Sequence, residues 1–379
     1  MELMRNVNGK LLRCGYTTGA CAAAAAKAAG LMLLGGAPVE QVTITTPNSV
    51  TLTLDVLEVR LVDGSASCAV RKDAGDDPDV TDGALIYARV EKSAHGIHID
   101  GGPGVGRVTK PGLDQPVGAA AINYVPREMI TQELRETAGK YGYEGGFSVM
   151  ISIPGGEELA RRTFNPRLGI EGGLSVIGTT GIVEPMSNQA MADTVRLELS
   201  QLKATGAQAV LLTPGNYGEA FAHETLGLSM DDHVSCANFI GDAIDSAVEL
   251  GFKRILLVGH IGKLVKLGLG ITNTHSAHGD GRLEALLACG LEAGADLALL
   301  QDISHCVTTD AALSLLQDAG LLAAVMAVLG QRIDACLHRR VPEDVMIGYI
   351  CFTNAQPLYG VLTQSANADE LMETWRIKA

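Results

Sequence analysis

The sequence predicts an α/β protein made of two dissimilar halves, and three observations carry that expectation. After residue 173, short apolar runs alternate with stretches of helical spacing, several times over. Before it, strand-like runs follow one another with few helices between them. Hydrophobic residues make up 47% of the chain against 4% aromatics, with 45 glycines. The core is therefore expected to be built from Ala, Val, Leu and Ile, with close backbone approaches. A length of 379 residues fits roughly two domains. The boundary is expected in the polar, glycine-rich segment 154–173. That gives an α+β domain over 1–165 and a Rossmann-like α/β domain with a mostly parallel sheet over 166–379.

The elements follow in order. An alanine run predicts a helix over residues 18–34. Strands are expected at 41–46, 50–60, 65–71 and 84–92, with 96–99 as a return partner for the last. A glycine-rich passage at 101–106 has glycines like those of a dinucleotide fingerprint, but residues 107–112 do not continue as a helix, so that reading is rejected. A helix starts near Arg127, and 147–153 reads as a strand. In the second half, 174–177 is a short apolar run and 188–204 has helical spacing. Strands are expected at 209–213, 254–258, 296–300 and 344–352. Helices are expected around Phe239–Val248, over 282–293 and over 311–329. In a parallel sheet covered on both faces, ligands bind at the carboxyl ends of strands.

Net charge excludes some function classes. At −14, the bulk field argues against nucleic acid and against an anionic membrane surface. The eight cysteines are scattered, with no Cys-x-x-Cys pair, which reads as reduced thiols in a cytoplasmic protein. The N-terminus lacks the apolar core of a signal peptide. The apolar run 321–329 is too short to span a bilayer, which needs about 20 residues.

Several short segments carry the chemistry. Gly15-Tyr16-Thr17-Thr18-Gly19 enters the alanine helix, and a Thr cap there leaves N–H groups facing outward, either as a plain helix end or as an anion contact. Lys72-Asp73-Ala74-Gly75-Asp76-Asp77-Pro78-Asp79 packs its carboxylates into one turn. It is either a solvated acidic loop or a set of acceptors and a general base, and adjacent carboxylates would raise one another's pKa. Arg107 and Lys110 flank the glycine-rich passage. Arg161, Arg162 and Arg167 cluster around Pro166, where Arg offers bidentate bonds to carboxylates or an interdomain salt bridge. Gly178-Thr179-Thr180-Gly181, Thr213-Pro214-Gly215-Asn216 and Gly259-His260-Ile261-Gly262-Lys263 each follow an expected strand, as plain βα turns or as nucleoside contacts. His275, His278 and Asp280 are a weak metal-ligand signal with no third histidine or thiol assigned.

Together these segments resemble the CbiD family, the cobalt-precorrin-5B C-1 methyltransferases of the anaerobic cobalamin pathway. The matching pieces are GYTTG at 15–19, KDAGDDPDVT at 72–81, GVGRVT at 104–109, TFNPRLGI at 163–170, SVIGTTGIV at 175–183, GHIGK at 259–263 and THS at 274–276, in the same order. The resemblance implies methyl transfer from S-adenosyl-L-methionine to C-1 of cobalt-precorrin-5B, giving cobalt-precorrin-6A. It makes the N-terminal domain the tetrapyrrole side and the C-terminal domain the cofactor side. Expected substrate contacts are Tyr16, Thr17, Thr18, Asp73, Asp77, Arg107, Arg161 and Arg167. Expected cofactor contacts are Gly178, Thr179, Thr180, Gly181, Thr213, Gly215, Asn216, Gly259, Gly262 and Lys263. Asp76 and His260 are the catalytic candidates, and no resident metal is expected. The implied partners are the cobalt tetrapyrrole itself and transient contacts with neighbouring pathway enzymes, with no nucleic acid and no membrane. A small-molecule kinase and a non-catalytic tetrapyrrole-binding protein are the alternatives.

Overall fold

The computed structural model describes residues 3–7 and 9–377. It divides into two compact units, Met1–Ser187 and Asn188–Ala379. In the first unit, β1 (Met4–Val7) pairs with β2 (Lys10–Arg13), followed by β3 (Gly15–Tyr16) and α1 (Thr18–Gly35). Thr17 caps α1, its Oγ1 accepting from the Ala20 N–H at 3.2 Å, and Gly36 ends it at φ 69°. Every residue from Ala20 to Ala26 is 0% exposed. A helix apolar all round must be buried, and small side chains let its neighbours approach closely. By length and composition α1 is apolar enough to cross a membrane, which the sequence reading did not notice, but 72% of it lies buried in this unit's core.

Next come β4 (Gln41–Thr45) and β5 (Thr51–Asp55), an antiparallel pair. The single strand expected over 50–60 is broken at Val56, so β6 (Leu57–Val62) joins another sheet. That sheet also holds β7 (Ser65–Arg71), β8 (Leu85–Ser93) and β9 (Ile97–Gly101). β10 (Gly104–Val105) and β11 (Arg107–Val108) follow with no helix, in keeping with the rejected dinucleotide fingerprint. α2 (Tyr124–Tyr141) starts earlier than expected, with Pro126 in its first turn, and packs on α1. β12 (Gly146–Ser152) then inserts between β8 and β9, so the order is β6-β7-β8-β12-β9. The segment 96–99 is therefore not the return partner of β8; it runs parallel to β12 instead. After α3 (Gly156–Ala160), three two-residue strands pair back into this unit: β13 (Ile170–Glu171) with β11, β14 (Gly173–Leu174) with β10, and β15 (Ile182–Val183) with β3. These pairings hold residues 166–187 to the first unit and move the division past the expected 154–173.

The second unit alternates as expected. It runs α4 (Asn188–Ala204), β16 (Ala209–Thr213), α5 (Asn216–Ala220), β17 (His233–Ser235), α6 (Ile240–Glu249), β18 (Arg254–His260) and α7 (Ile261–Leu264). Then come α8 (Arg282–Glu292), α9 (Leu297–Ser304), α10 (Thr309–Asp318), α11 (Leu322–His338), β19 (Met346–Thr353), β20 (Gly360–Gln364) and α12 (Ala368–Met372). The strand expected at 296–300 is the start of α9, because Asp296 caps a helix, accepting from the Leu299 N–H at 2.9 Å. The helix expected over 311–329 is two helices, separated at Gly320 with φ 70°. The sheet order is β17-β16-β18-β19-β20, parallel apart from β20. Val210, Leu212, Ile255 and Leu257 face one core and Ala209, Leu211, Leu256 and Val258 the other. Both faces of β16 and β18 are covered, which is why these strands read as unbroken apolar runs.

Candidate functional site

The strand order builds a crevice in the second unit. β17 lies on the far side of β16, and β19 on the far side of β18. The chain therefore leaves the carboxyl ends of β16 and β18 in opposite directions. Open α/β sheets receive ligands at such a switch point. Two of the expected cofactor segments meet there. Thr213, Gly215 and Asn216 turn from β16 into α5, and Gly259, His260, Gly262 and Lys263 turn from β18 into α7. Thr213 is fully buried, its Oγ1 2.7 Å from His233 Nε2. Gly215 has φ 104°, a conformation only glycine adopts readily.

Lys263 reaches across this end of the sheet. Its Nζ donates to the Ala237 carbonyl at 3.0 Å. Burial pushes its pKa down, Cys236 pulls the other way, and the nearby Lys266 adds to the depression. Lys266 is 3% exposed and donates to the carbonyls of Thr274 and Gly279 at 3.0 and 2.9 Å, so it holds the 274–279 loop.

His260 Nδ1 accepts from the Gly262 N–H at 3.1 Å, capping α7. The neutral ring therefore carries its proton on Nε2. Burial lowers its pKa, while the Asp310 carboxylate acts in the opposite direction. Tyr217 lies 6.1 Å from the imidazole centroid, and Phe352 stands edge-on at 5.5 Å. Asp310 accepts from the fully buried Thr353 hydroxyl at 2.9 Å. His275 caps a short turn, Nδ1 accepting from the Ala277 N–H, and Asp280 pairs with Arg282. Among the described residues no group of three or more His, Cys, Asp or Glu is gathered for a metal.

In the first unit, the expected acidic loop is a tied knot. Arg13 binds Asp73 with both guanidinium nitrogens at 2.5 and 2.8 Å, and its own N–H donates to Asp76 Oδ2 at 2.6 Å. Lys72 Nζ lies 2.5 Å from Asp79 Oδ2. Asp77 Oδ1 accepts from the Met186 N–H at 2.8 Å. The Arg13 bond is the chief reason that Asp73 sits below the usual carboxylate range. Burial pushes Asp79 up, but the Lys72 and Thr81 bonds outweigh it and hold it low. The expected upward shift from crowding does not arise for these two, because each has its own cation or donor. Asp76, a catalytic candidate, accepts the Arg13 backbone N–H through Oδ2.

The α1 end is likewise closed. Thr17 caps the helix, and Thr18 Oγ1 donates to the Ile177 carbonyl at 3.2 Å and accepts the Ile177 N–H at 3.0 Å. Both threonines are buried. The 178–181 segment lies on them: the Thr17 N–H donates to the Gly181 carbonyl, and a Cβ at Gly178 would stand 2.2 Å from Thr17 Oγ1. Gly178, Thr179, Thr180 and Gly181 thus belong to the first unit and cover α1; they do not end a strand of the parallel sheet. Tyr16 remains open to a ligand. Its ring lines a cavity of about 530 Å³ with Asp55, Arg71, Asp73 and Asp82, and its hydroxyl donates to the Arg71 carbonyl at 3.0 Å. Burial pushes its phenol up, with the Cys21 thiol and Asp73 adding to the effect.

The arginines lie elsewhere. Arg107 binds Asp100 at 2.7 and 3.1 Å and the Gly101 carbonyl at 2.8 Å. Arg161 pairs with Glu158 at 2.9 Å on the surface, and the Arg167 carbonyl accepts from Lys110. None of the three lines the cavity beside Tyr16. All eight cysteines are free, and burial pushes the Cys21, Cys68 and Cys236 thiols up to about 12, leaving them neutral and unreactive. Sequence reasoning missed Arg13, Arg71, Asp82, Tyr217, Asp310 and Thr353. Only Tyr217 carried a signal, directly following Gly215-Asn216. The others meet their partners across long sequence separations.

Comparison with known proteins agrees with both halves. The sequence model of CbiD matches residues 5–185, and that of the CbiD C-terminal domain matches residues 273–361. The cobalt-precorrin-5B C(1)-methyltransferase of Ruminiclostridium cellulolyticum is 48% identical over 347 residues, covering 92% of this chain and 90% of that protein. The protein of the same name from Alkaliphilus metalliredigens is 43% identical over 367 residues, 97% of this chain and 96% of its own. A crystal structure of the cobalamin biosynthesis protein cbiD from Archaeoglobus fulgidus aligns at 28% identity over 69% of this chain and 82% of that one, with a TM-score of 0.39. Ordered motifs, two matching family models and relatives aligned along nearly the whole length converge: the chain belongs to the CbiD family.

Proposed function

We propose that this protein is a cobalt-precorrin-5B C(1)-methyltransferase of cobalamin biosynthesis, taking its methyl group from S-adenosylmethionine and releasing cobalt-precorrin-6A in the cytoplasm. The observation that carries this is the near-full-length identity, above 40%, to proteins of that name. The cobalt belongs to the substrate.

The residues at the β16/β18 switch point fit such a donor. The Gly215 turn lies beside the Lys263 ammonium, 3.4 Å from where a Cβ would stand. Tyr217, 70% exposed, offers a flat face at the same end of the sheet. When bound, S-adenosylmethionine supplies a methyl group on a sulfonium that becomes a neutral thioether on transfer. The chain's own task is positioning, since holding reactants in line removes much of the entropic barrier. The turns 213–216 and 259–263 hold the donor. His260 presents Nε2–H as a hydrogen-bond donor, because its Nδ1 is engaged with Gly262. It therefore orients an oxygen of the bound ligands and does not abstract a proton. The cavity beside Tyr16 is the tetrapyrrole contact of the first unit.

The test is turnover. Purified protein, cobalt-precorrin-5B and S-adenosylmethionine under anaerobic conditions are expected to give a product heavier by one methyl, with one S-adenosylhomocysteine formed per product. Absence of both refutes the assignment. Corrinoid binding without turnover would favour a carrier instead.

A further inference from the structure

We infer that Lys263 is the receptor for the carboxylate at the amino-acid end of the methyl donor, an assignment that rests on the donor reading above. Three observations meet at its ammonium. First, the lysine is half-buried at the carboxyl end of β18, and its Nζ forms one hydrogen bond, to Ala237, although an ammonium carries three donors. It forms no ion pair among the described residues. Second, Ala237 presents that carbonyl from a left-handed backbone at φ 49°, a conformation that residues with a side chain rarely adopt. The turn after β17 is thus held in an uncommon shape that keeps the lysine inward. Third, the ammonium lies in van der Waals contact with the turn after β16, 3.4 Å from where a Cβ on Gly215 would stand. The cation is drawn over the β16/β18 switch point and away from water.

The neighbouring lysine shows the contrast. Lys266 is also buried, but two loop carbonyls satisfy it. Lys263 keeps donor capacity in reserve at the place where this sheet type receives ligands. Its lowered pKa fits a half-buried cation that lacks an anion. A carboxylate could come from the donor's methionyl end or from a tetrapyrrole side chain. The donor is the better match, because the turns 213–216 and 259–263 that frame Lys263 are the ones assigned to it.

The experiment compares S-adenosylhomocysteine with 5′-methylthioadenosine, which keeps the nucleoside and sulfur but lacks the amino-acid end. By calorimetry, Lys263→Met is expected to weaken S-adenosylhomocysteine by about tenfold or more and methylthioadenosine by less than about twofold. Lys263→Arg should keep most of the affinity. On the unmutated protein, S-adenosylhomocysteine should protect Lys263 from acetylation by acetic anhydride, read by peptide mass spectrometry, and methylthioadenosine should not. That footprint holds even if Lys263→Met fails to fold. Unchanged S-adenosylhomocysteine affinity in a folded Lys263→Met protein, equal losses for both ligands, or protection by the cobalt tetrapyrrole alone would overturn the inference. An unmutated protein that binds neither nucleoside would overturn the donor reading itself.

Discussion

Lys72 and Asp79 form a 2.5 Å ion pair in the acidic turn of the first unit, with the lysine side chain 2% exposed and the aspartate 26%. Removing the cation alone leaves a mostly buried carboxylate without its counter-charge. Lys72→Met is expected to destabilise the protein by about 3 kcal/mol in urea unfolding, and adding Asp79→Leu should restore most of the loss. A single variant as stable as the parent would show the pair to be dispensable.

The same knot sets an acid limit. Asp73 and Asp79 are both held below the usual carboxylate range, Asp73 chiefly by Arg13, and Asp79 by Lys72 and Thr81 against burial. A depressed carboxyl group favours the folded state fully above its unfolded pKa, about 3.9, and loses that advantage as pH falls through the lower folded value. The urea midpoint should stay level from neutrality to about pH 5 and then drop. In the Lys72→Met, Asp79→Leu protein the drop should be shallower. Identical acid limbs in the two proteins would contradict this.

Thr17 caps α1, its Oγ1 accepting from the Ala20 N–H. Thr17→Ala should lower stability by about 1 kcal/mol while the KM for the cobalt tetrapyrrole stays unchanged at temperatures where the variant is folded. Differential scanning calorimetry and steady-state kinetics measure the two effects separately. A raised KM with an unchanged Tm would restore the substrate contact that the sequence suggested.

His260 caps α7 through Nδ1, and the proposed mechanism gives its Nε2–H a second job that can be tested separately. Asn can replace imidazole Nδ1 as the acceptor for the Gly262 N–H but lacks the distal N–H. His260→Asn is expected to keep the parent Tm and lose about a hundredfold in kcat. Full activity in this variant would remove His260 from the reaction.

Tyr16 tests the cavity of the first unit. Tyr16→Phe deletes one hydrogen bond to the Arg71 carbonyl, worth about 1 kcal/mol of stability. It should raise KM for the cobalt tetrapyrrole severalfold and leave the affinity for S-adenosylhomocysteine intact. An unchanged KM would place the substrate elsewhere.

Local chemistry was the legible part of this chain. The Thr cap and alanine run announced α1, and the unbroken apolar runs of β16 and β18 announced strands covered on both faces. Residues 297–300 were not legible, because four apolar residues suit a strand or a buried helix equally. Only the Asp296 cap decides between them. Two-residue strands leave no periodic trace, so nothing in the sequence showed that 170–183 returns to β3, β10 and β11. The acidic turn was visible as composition, but its meaning depended on Arg13, 60 positions away from Asp73. The expected cofactor segments at 213–216 and 259–263 could be found singly; their meeting depends on strand order, which is long-range information.

The bond between Thr18 and Ile177 joins residues 159 apart, and beside it β3 pairs with β15. The first unit is therefore fastened shut by the last piece of itself to be made. During synthesis, α1 leaves the ribosome early, yet the partner of its amino end emerges only after most of the unit has followed. Until then an apolar alanine helix waits with its first turn unlatched. A chain cut at residue 165 would keep every element of the five-stranded sheet and still lack the strap that closes it. Expressed alone, such a fragment is the one to be found with chaperones, whereas a fragment ending at residue 187 should fold and be released.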